Sequence, residues 1–364
     1  MIDEHGDRKW GTKTAHVGKQ YLGNLGKVDN GVVSVSSLWA DEAVYYPIDV
    51  EPYTPAHHFA KGKADPAFRT KLQLAVELAR RAKAAGLPFR AVVADAFYGK
   101  ESTVQQGLEE LGVGYVLALP SSHGWWHREG QIGGLQEAAR TGGWEDADHP
   151  GRWIKLERCF RDGHGEPWWA LEVAAGPYGP TKAQRVVVAT TDPKTLPERT
   201  TWYVVTNLPR PGGERARESA HAPADLAEIV RLFGLRIWVE QSYKQVKYAL
   251  GWGEYQVRGD RAIRRHWTLV WCAFSFCWLR QRDAAPSADP TQPVEPAPAA
   301  LAAPTFPSGG KNQRPTGQFA APAQRLVASS PARGPSMART LDHALALLAG
   351  VVASAPALPT ADAA

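Results

Sequence analysis

In the first third of the chain, apolar positions recur with two periods, one typical of strands and the other typical of helices. Residues 31–39 are almost all β-formers and predict a strand, whereas Asp65 followed by Pro66 predicts the start of a helix. The apolar spacing carries that helix to a stop at Gly86. The remaining predicted elements are strands at 15–24, 89–94 and 115–119 and a helix at about 101–111. This succession predicts parallel strands joined by helical crossovers.

Residues 120–210 carry tryptophans among glycine-rich turns, and the pattern there is that of strands. The predicted strands lie at 153–159, 167–174, 184–190 and 201–206. We interpret 120–222 as a β-rich insertion. The helical period then returns, with Asp225 as an N-cap and predicted helices at 226–233, 236–250 and 260–281.

The composition changes sharply after Arg282. Residues 283–364 hold 13 of the chain's 28 prolines and neither Trp nor Tyr. Such a segment cannot bury enough apolar surface to offset its ordering entropy, so we predict disorder at 283–335, followed by one short helix at 337–352. The predicted organisation is an α/β part at 1–119, the insertion at 120–222, a helical return at 223–282 and the tail at 283–364.

Charge and cysteine content exclude several classes of protein. The 364 residues carry 42 Lys and Arg against 37 Asp and Glu, a net charge of +5 that lies wholly outside the neutral tail. Three cysteines are too few for a disulfide framework and lack the spacing of a zinc site, which favours a reduced, cytoplasmic compartment. No run of about 18 apolar residues and no apolar N-terminal segment occurs, so we expect neither a membrane span nor a signal peptide.

Three carboxylates stand where α/β proteins often place chemistry. Asp95 follows a buried predicted strand, Asp3 precedes a polar turn and two strands, and Glu240 lies on a predicted helix. Taken singly, each is more typical of a surface or capping residue. As a set they offer only oxygen ligands, which Mg²⁺ prefers, and two such ions about 3.5–4 Å apart promote phosphodiester transfer.

Basic residues surround the last of these acids. Seven bases stand among three acids in this stretch, namely Arg236, Lys244, Lys247, Arg258, Arg261, Arg264 and Arg265. Arg236, Glu240 and Lys247 share one helical face, because offsets of four and seven residues are close to one and two turns. On charge alone, a solvated helix face is an equal alternative. Beside a carboxylate cluster, however, a basic face favours binding of a phosphate backbone.

A series of motifs occurs in a characteristic order along 1–282. They include Ile2-Asp-Glu-His-Gly-Asp-Arg-Lys, Gly18-Lys-Gln-Tyr-Leu-Gly, Val93-Ala-Asp-Ala-Phe-Tyr-Gly, Thr201-Trp-Tyr-Val-Val-Thr-Asn-Leu-Pro and Leu235-Arg-Ile-Trp-Val-Glu-Gln-Ser-Tyr-Lys-Gln-Val-Lys. In these motifs the chain resembles bacterial insertion-sequence transposases of the DDE superfamily. The resemblance implies an RNase H-like α/β fold, a mixed sheet with flanking helices, in which a β-rich insertion precedes the last acidic helix.

The resemblance also implies a site and a reaction. Asp3, Asp95 and Glu240 would form the catalytic triad and hold two Mg²⁺ ions, with Mn²⁺ as a substitute. The implied reaction is metal-dependent cleavage and strand transfer at the DNA ends of an insertion sequence, with joining to a target DNA. A homodimer on paired ends, associated with the bacterial nucleoid, is the implied assembly.

A second family signature surrounds the last acid, with the pattern Tyr-x2-Arg-x3-Glu-x6-Lys. Phe233, Arg236, Glu240 and Lys247 occupy its positions in this chain. In relatives the Arg and the Lys contact phosphates of the transposon end, and we expect the same of Arg236 and Lys247, together with their neighbours Lys244 and Arg258. The phenylalanine lacks the hydroxyl that the family's tyrosine supplies.

The tryptophans of the insertion have two interpretations. In related transposases, aromatic side chains of this insertion stack on a base flipped out of the DNA end, and Trp125 and Trp126, in a loop-like setting, are candidates for that role. The alternative is that the tryptophans fill the β-rich core.

The chain departs from the family at its start. Only Met1 and Ile2 precede Asp3, whereas an RNase H-like sheet needs a strand leading into that acid, and His5 stands where the family usually has Thr. Two hypotheses follow. One is an active DDE transposase, and the other is an N-terminally truncated, catalytically inactive remnant that at most binds DNA.

Overall fold

The computed structural model describes residues 1–42, 44–126, 132–142, 152–160, 164–173 and 184–284, with the backbone alone for 280–284. The sequence predicts disorder at 283–335, but residues 283 and 284 are helical, and 285–335 lie outside the described residues, as does the helix predicted at 337–352. The strands are β1 (Ile2–Arg8), β2 (Gly18–Leu22), β3 (Lys27–Ala40), β4 (Tyr45–Tyr53), β5 (Val92–Ala94), β6 (Tyr115–Ala118), β7 (Gly124–Trp126), β8 (Ile132–Gly134), β9 (Ile154–Cys159), β10 (Gly165–Val173), β11 (Arg185–Thr190) and β12 (Thr201–Thr206). The helices are α1 (Lys71–Ala84), α2 (Ala96–Gly99), α3 (Ser102–Glu110), α4 (Leu135–Thr141), α5 (Leu226–Gly234), α6 (Ile237–Leu250) and α7 (Asp260–Ala284).

The first sheet is built around β3, which pairs antiparallel with β1, β2 and β4. The middle of β3 is buried on both faces, and its side chains alternate between two cores. Val35 packs with Leu74 and Leu78 of α1, whereas Val32 and Leu38 pack on the side of α6 and α7. This burial on both faces explains why β3 contains a near-continuous run of strand-forming residues.

The second sheet has the strand order β5-β6-β12-β11-β10-β9. β5 and β6 are parallel, and each of the other neighbouring pairs is antiparallel. β12 pairs directly with β6, so the strands of 154–206 continue the sheet that β5 and β6 begin. β1 lies against β5, and the two sheets meet there.

The last three helices cover the sheets from the side opposite α1. α5 packs on β6, β10 and β11, while α6 and α7 pack against each other and against β4. Trp252 and Trp267 are completely buried and stack at 5.2 Å between ring centroids, which gives this core its largest side chains. In the described part of the chain, no helix has both the length and the apolar composition needed to cross a membrane.

A polar network anchors the start of α7. Asp260 accepts hydrogen bonds from His16 Nε2 and from Arg264 Nε, both at 2.7 Å, and Arg264 also donates to Glu51 at 2.6 Å. Burial alone would raise the pKa of Asp260, but the hydrogen bond from His16 and the charge and hydrogen bond of Arg264 outweigh it and lower this pKa to about 2. The network therefore ties α7 to the loop before β2 and to β4.

The mixed α/β architecture, with a mixed sheet and flanking helices, is confirmed. The helix predicted from Asp65 begins later, because Thr70 caps α1 in a reciprocal capping box with Gln73, while Asp65 closes a turn through the N–H of Ala67. The expected series of parallel strands is wrong, since β5 and β6 form the one parallel pair among the described strands. The second sheet is mixed because β12, the neighbour of β6, runs antiparallel to it, and the following pairs β12–β11, β11–β10 and β10–β9 are antiparallel as well.

Candidate active site

Asp3 and Asp95 lie on neighbouring elements at the junction of the two sheets. Asp95 directly follows β5 and caps the short helix α2, accepting a hydrogen bond from the N–H of Phe97 at 3.0 Å. Asp3 is the second residue of β1, opposite Ser36 of β3, and its Oδ1 accepts from the N–H of Glu4 at 2.8 Å. The objection that Asp3 lacks a strand is therefore wrong. The strand runs through Asp3 and onward to Arg8, held by the ladder with β3.

The surroundings of Asp3 disfavour its negative charge. Its side chain is 15% exposed, and burial raises the pKa of Asp3 to about 7, with the charge of Asp95 acting in the same direction. The hydrogen bond from Glu4 N–H and the Arg236 guanidinium, 3.8 Å away, oppose this shift. Two carboxylates thus interact in a partly desolvated position with little positive charge to balance them.

A second carboxylate of β1 borders this pair. Glu4 Oε1 accepts a hydrogen bond from Lys71 Nζ of α1 at 3.0 Å. Burial raises the pKa of Glu4, the charge of Lys71 lowers it, and the charge of Asp95 raises it again. Glu4 therefore responds electrostatically to the same acid as Asp3.

Glu240 of α6 stands apart from the two aspartates. Its side chain is 49% exposed and accepts a hydrogen bond from Arg236 Nη2 at 2.8 Å. Because Arg236 also lies 3.8 Å from Asp3, the guanidinium bridges the first and the last predicted acid. Across the ranges that the structure describes, no three or more His, Cys, Asp or Glu side chains are gathered closely enough to hold a metal ion.

The predicted phosphate-binding residues differ in their environment. Lys244 and Arg258 are exposed. Lys247 is half-buried, and desolvation lowers its pKa while the charge of buried Asp7 opposes that shift. Arg264, by contrast, is half-buried and held in ion pairs with Glu51 and Asp260.

Two comparisons with known proteins bear on this arrangement. Residues 1–166 match the family model of the DDE superfamily endonucleases. The chain is also 32% identical over 260 residues to a probable transposase for insertion sequence element IS701 from Microchaete diplosiphon, a match that covers 71% of this chain. Both matches support an insertion-sequence transposase of the DDE superfamily. The chain spans 59% of the length of that relative.

Phe233, which stands in place of the tyrosine of the signature, has a structural explanation. Phe233 is buried at the end of α5 and meets Trp202 edge-on at 5.1 Å between ring centroids. Trp202 in turn packs on Trp168 at 4.3 Å. The position therefore serves the core of the chain, where a hydroxyl would need a partner.

Trp125 and Trp126 lie in a strand rather than in a loop-like setting. They belong to β7, which forms a two-stranded sheet with β8, so the predicted loop-like setting is wrong. Trp125 is 6% exposed and packs with Leu135 in the main core, while Trp126 is half-buried. A side chain as enclosed as Trp125 is not available to stack on a base in this conformation. This result favours the core interpretation for that tryptophan.

Sequence reasoning missed three residues of the site. Glu4 and Lys71 form the ion pair beside Asp95, and Tyr243 of α6 donates a hydrogen bond to the carbonyl oxygen of Asp3 at 3.1 Å. The available signal was weak. Glu4 adjoins the first acid, and Tyr243 follows Glu240 by three residues, close to one helical turn.

Proposed function

We propose that this chain is the catalytic part of a transposase that cleaves and joins DNA at the ends of an insertion sequence. The observation that carries the proposal is the electrostatically coupled pair Asp3 and Asp95, joined through Arg236 to Glu240 in a chain of this family. The order of its elements supports an RNase H-like fold. The antiparallel strands β1–β4 come before α1, and the parallel strands β5 and β6 follow, with one acid on β1 and one directly after β5.

The donor set of the aspartate pair fits a divalent cation. Mg²⁺ and Mn²⁺ prefer carboxylate oxygens, and Mg²⁺ is commonly held by one or two carboxylates with water and substrate phosphates completing its shell. Asp3 and Asp95 would hold such an ion. Glu240 would become a further ligand once Arg236 no longer pairs with it. When bound, the ion activates a water or a 3′-hydroxyl and stabilises the leaving oxygen of the phosphodiester.

The chain's own basic residues have a separate task in this proposal. Arg236, directly before α6, and Lys247, near its end, flank Glu240, so a phosphate that meets this face lies beside the acids. Arg236 would exchange its contact with Glu240 for a phosphate oxygen, which would release the carboxylate toward the aspartates. Paired ends would require two copies of the chain.

The Asp95→Asn variant tests the reaction. An amide still caps α2 but removes the charge that a metal requires, so we expect Mg²⁺- or Mn²⁺-dependent cleavage of the element's end DNA to fall by more than about 100-fold, beyond the range typical of outer-shell changes. Asp225→Asn is the matched control, because Asp225 caps α5 in the same way, away from the site, and that variant should retain cleavage. Cleavage that persists in Asp95→Asn would refute the assignment.

Salt dependence of DNA binding tests the basic face. If Arg236 and Lys247 each contact one phosphate, the double Arg236→Ala/Lys247→Ala variant should reduce the slope of log K against log salt by about 1.8, measured by fluorescence anisotropy between about 50 and 200 mM salt. Lys61→Ala/Lys63→Ala, which removes two exposed charges elsewhere, is the control. Equal slopes for both double variants would contradict a specific role for the α6 face.

One observation favours the second function, an inactive chain that binds DNA. Glu240 is exposed and paired with Arg236 rather than gathered with the aspartates. Salt-sensitive DNA binding that depends on Arg236 and Lys247, without cleavage at any Mg²⁺ or Mn²⁺ concentration, would support this function over the first.

A further inference from the structure

Tyr243 connects the helix of the last acid to the strand of the first. It lies on the inner face of α6, three residues after Glu240, and its side chain is buried. Its hydroxyl donates to the main-chain carbonyl of Asp3 at 3.1 Å and makes a short contact with the Ser36 hydroxyl. Since Ser36 is the cross-strand partner of Asp3 in the β1–β3 ladder, one phenol contacts both members of that pair.

The phenol of Tyr243 suits a permanent donor. A tyrosine hydroxyl ordinarily titrates at about pH 10, so it keeps its proton at physiological pH. Because it donates that proton to the carbonyl of Asp3, the Ser36 hydroxyl is left to donate to the phenol oxygen.

The ring of Tyr243 is held from a second side by His5. The two ring centroids are 4.8 Å apart, and His5 Nε2 is itself 3.2 Å from Asp7 Oδ1. His5 is the residue that departs from the usual threonine of the family motif. In this chain its imidazole packs on the phenol and restricts the position of Tyr243.

We infer that Tyr243 is a positioning residue of the acidic site, which sets the distance between Asp3 on β1 and Glu240 on α6. Two contacts tie α6 to Asp3, namely Tyr243 to its carbonyl and Arg236 to its carboxylate. The Arg236 contact must be released if that guanidinium turns to a phosphate, so the phenol is the tie that remains during the reaction. This inference rests on the proposed function, in which both acids serve one metal site.

The chain offers a matched control in Tyr45. Its hydroxyl donates to Gln245 Oε1 at 2.7 Å, so it also joins the first sheet to α6, but from β4 and away from Asp3. Tyr243→Phe and Tyr45→Phe each remove one hydroxyl between the same sheet and the same helix and keep the ring. The melting temperature should fall in both variants, and by at least as much in Tyr243→Phe, whose hydroxyl contacts both Asp3 and Ser36.

Binding of Mn²⁺ to the purified full chain provides a readout that does not depend on activity. It is measured as the loss of the electron paramagnetic resonance signal of free Mn²⁺. Binding at the acidic site is the part of this loss that Asp95→Asn abolishes. Outer-shell partners of metal ligands typically change affinity by about 10–100-fold, so we expect that rise in the Mn²⁺ dissociation constant for Tyr243→Phe and less than about twofold for Tyr45→Phe. The Mn²⁺ concentration that half-saturates cleavage should rise in parallel, with the KM for DNA unchanged.

The outcomes separate this inference from the proposed function. The positioning role would be overturned if the Mn²⁺ dissociation constant changed equally in both variants, or by less than about twofold in Tyr243→Phe. Cleavage by the unmodified chain would still support the proposed function in that case. Asp95-dependent Mn²⁺ binding without cleavage would overturn the function and leave the Mn²⁺ comparison to decide the role of Tyr243. Absence of Asp95-dependent binding would overturn both.

Discussion

Arg185 forms the most enclosed ion pair in the described part of the fold. Its side chain is 6% exposed and makes a two-pronged contact with Glu172 of β10, at 2.9 and 2.7 Å, while that carboxylate is 2% exposed. Nη1 of the same guanidinium donates to the carbonyls of Leu208 and Ala224, at 3.0 and 2.8 Å. One side chain thus joins β10 and β11 to the segment that leads from β12 into α5.

The Arg185→Met variant should destabilise the chain severely. It leaves Glu172 as an uncompensated buried charge and deprives two carbonyls of their donor. Removal of one partner of a buried pair typically costs about 3–5 kcal/mol, a large share of the roughly 5–15 kcal/mol that stabilises a domain. At about 2–4 °C per kcal/mol for a chain of this size class, the melting temperature should fall by roughly 6–20 °C.

Urea unfolding followed by tryptophan fluorescence measures the loss. Arg80→Met is the control, because Arg80 pairs with Glu77 on the exposed surface of α1, where we expect a change below about 1 kcal/mol. The double variant Arg185→Met/Glu172→Leu removes the isolated charge and should recover part of the stability. The reasoning is refuted if Arg185→Met costs no more than Arg80→Met.

Two further predictions concern stability. In Gly99→Ala the new methyl carbon would lie 1.9 Å from the carbonyl oxygen of Ala118, so the backbone must shift. We expect the free energy of unfolding, measured in urea, to fall by at least about 2 kcal/mol. Gly11→Ala, where nothing lies within 4 Å, should change it little, and an equally small effect at both sites would contradict the packing argument. Asp260→Asn should cost roughly 2 kcal/mol at pH 7, because a pKa lowered to about 2 stabilises the fold above pH 4. That contribution is lost as pH falls through 2, so the stability difference between Asp260→Asn and the unmodified chain should shrink from pH 4 to pH 2. A difference independent of pH would show that the effect is not electrostatic.

Elements that carry their own local signal were predictable from the sequence. Asp225 caps α5 as expected, accepting from the N–H of Glu228, and α6 ends at Gly251 with φ of 68°. Asp95 directly follows a short buried strand, as its context indicates. In each case the element is defined by a capping residue, a stop residue or an apolar run that lies within a few residues of it, so distant contacts are not needed.

Strands without such a signal were missed. β1 contains mainly polar and charged residues, and it is extended because β3 supplies its hydrogen-bond partners. β4 contains Pro47 and Pro52, which argue against a strand in a sequence. Among the described strands, however, β4 pairs with β3 alone and tolerates them there. Pairing between segments distant in sequence overrides local preference in both strands.

The sequence alone indicated the resemblance to DDE transposases, the mixed α/β class and the candidate acids and bases of the site, because these depend on residue identity and order. Tertiary structure decided which of those side chains meet. It couples Asp3 with Asp95, inserts Arg236 between Asp3 and the exposed Glu240, and encloses Trp125 in the core. The physical reason is that these relations depend on how β1 docks on β5 and α6 on β1, and no local pattern encodes the contacts between elements so far apart in the chain.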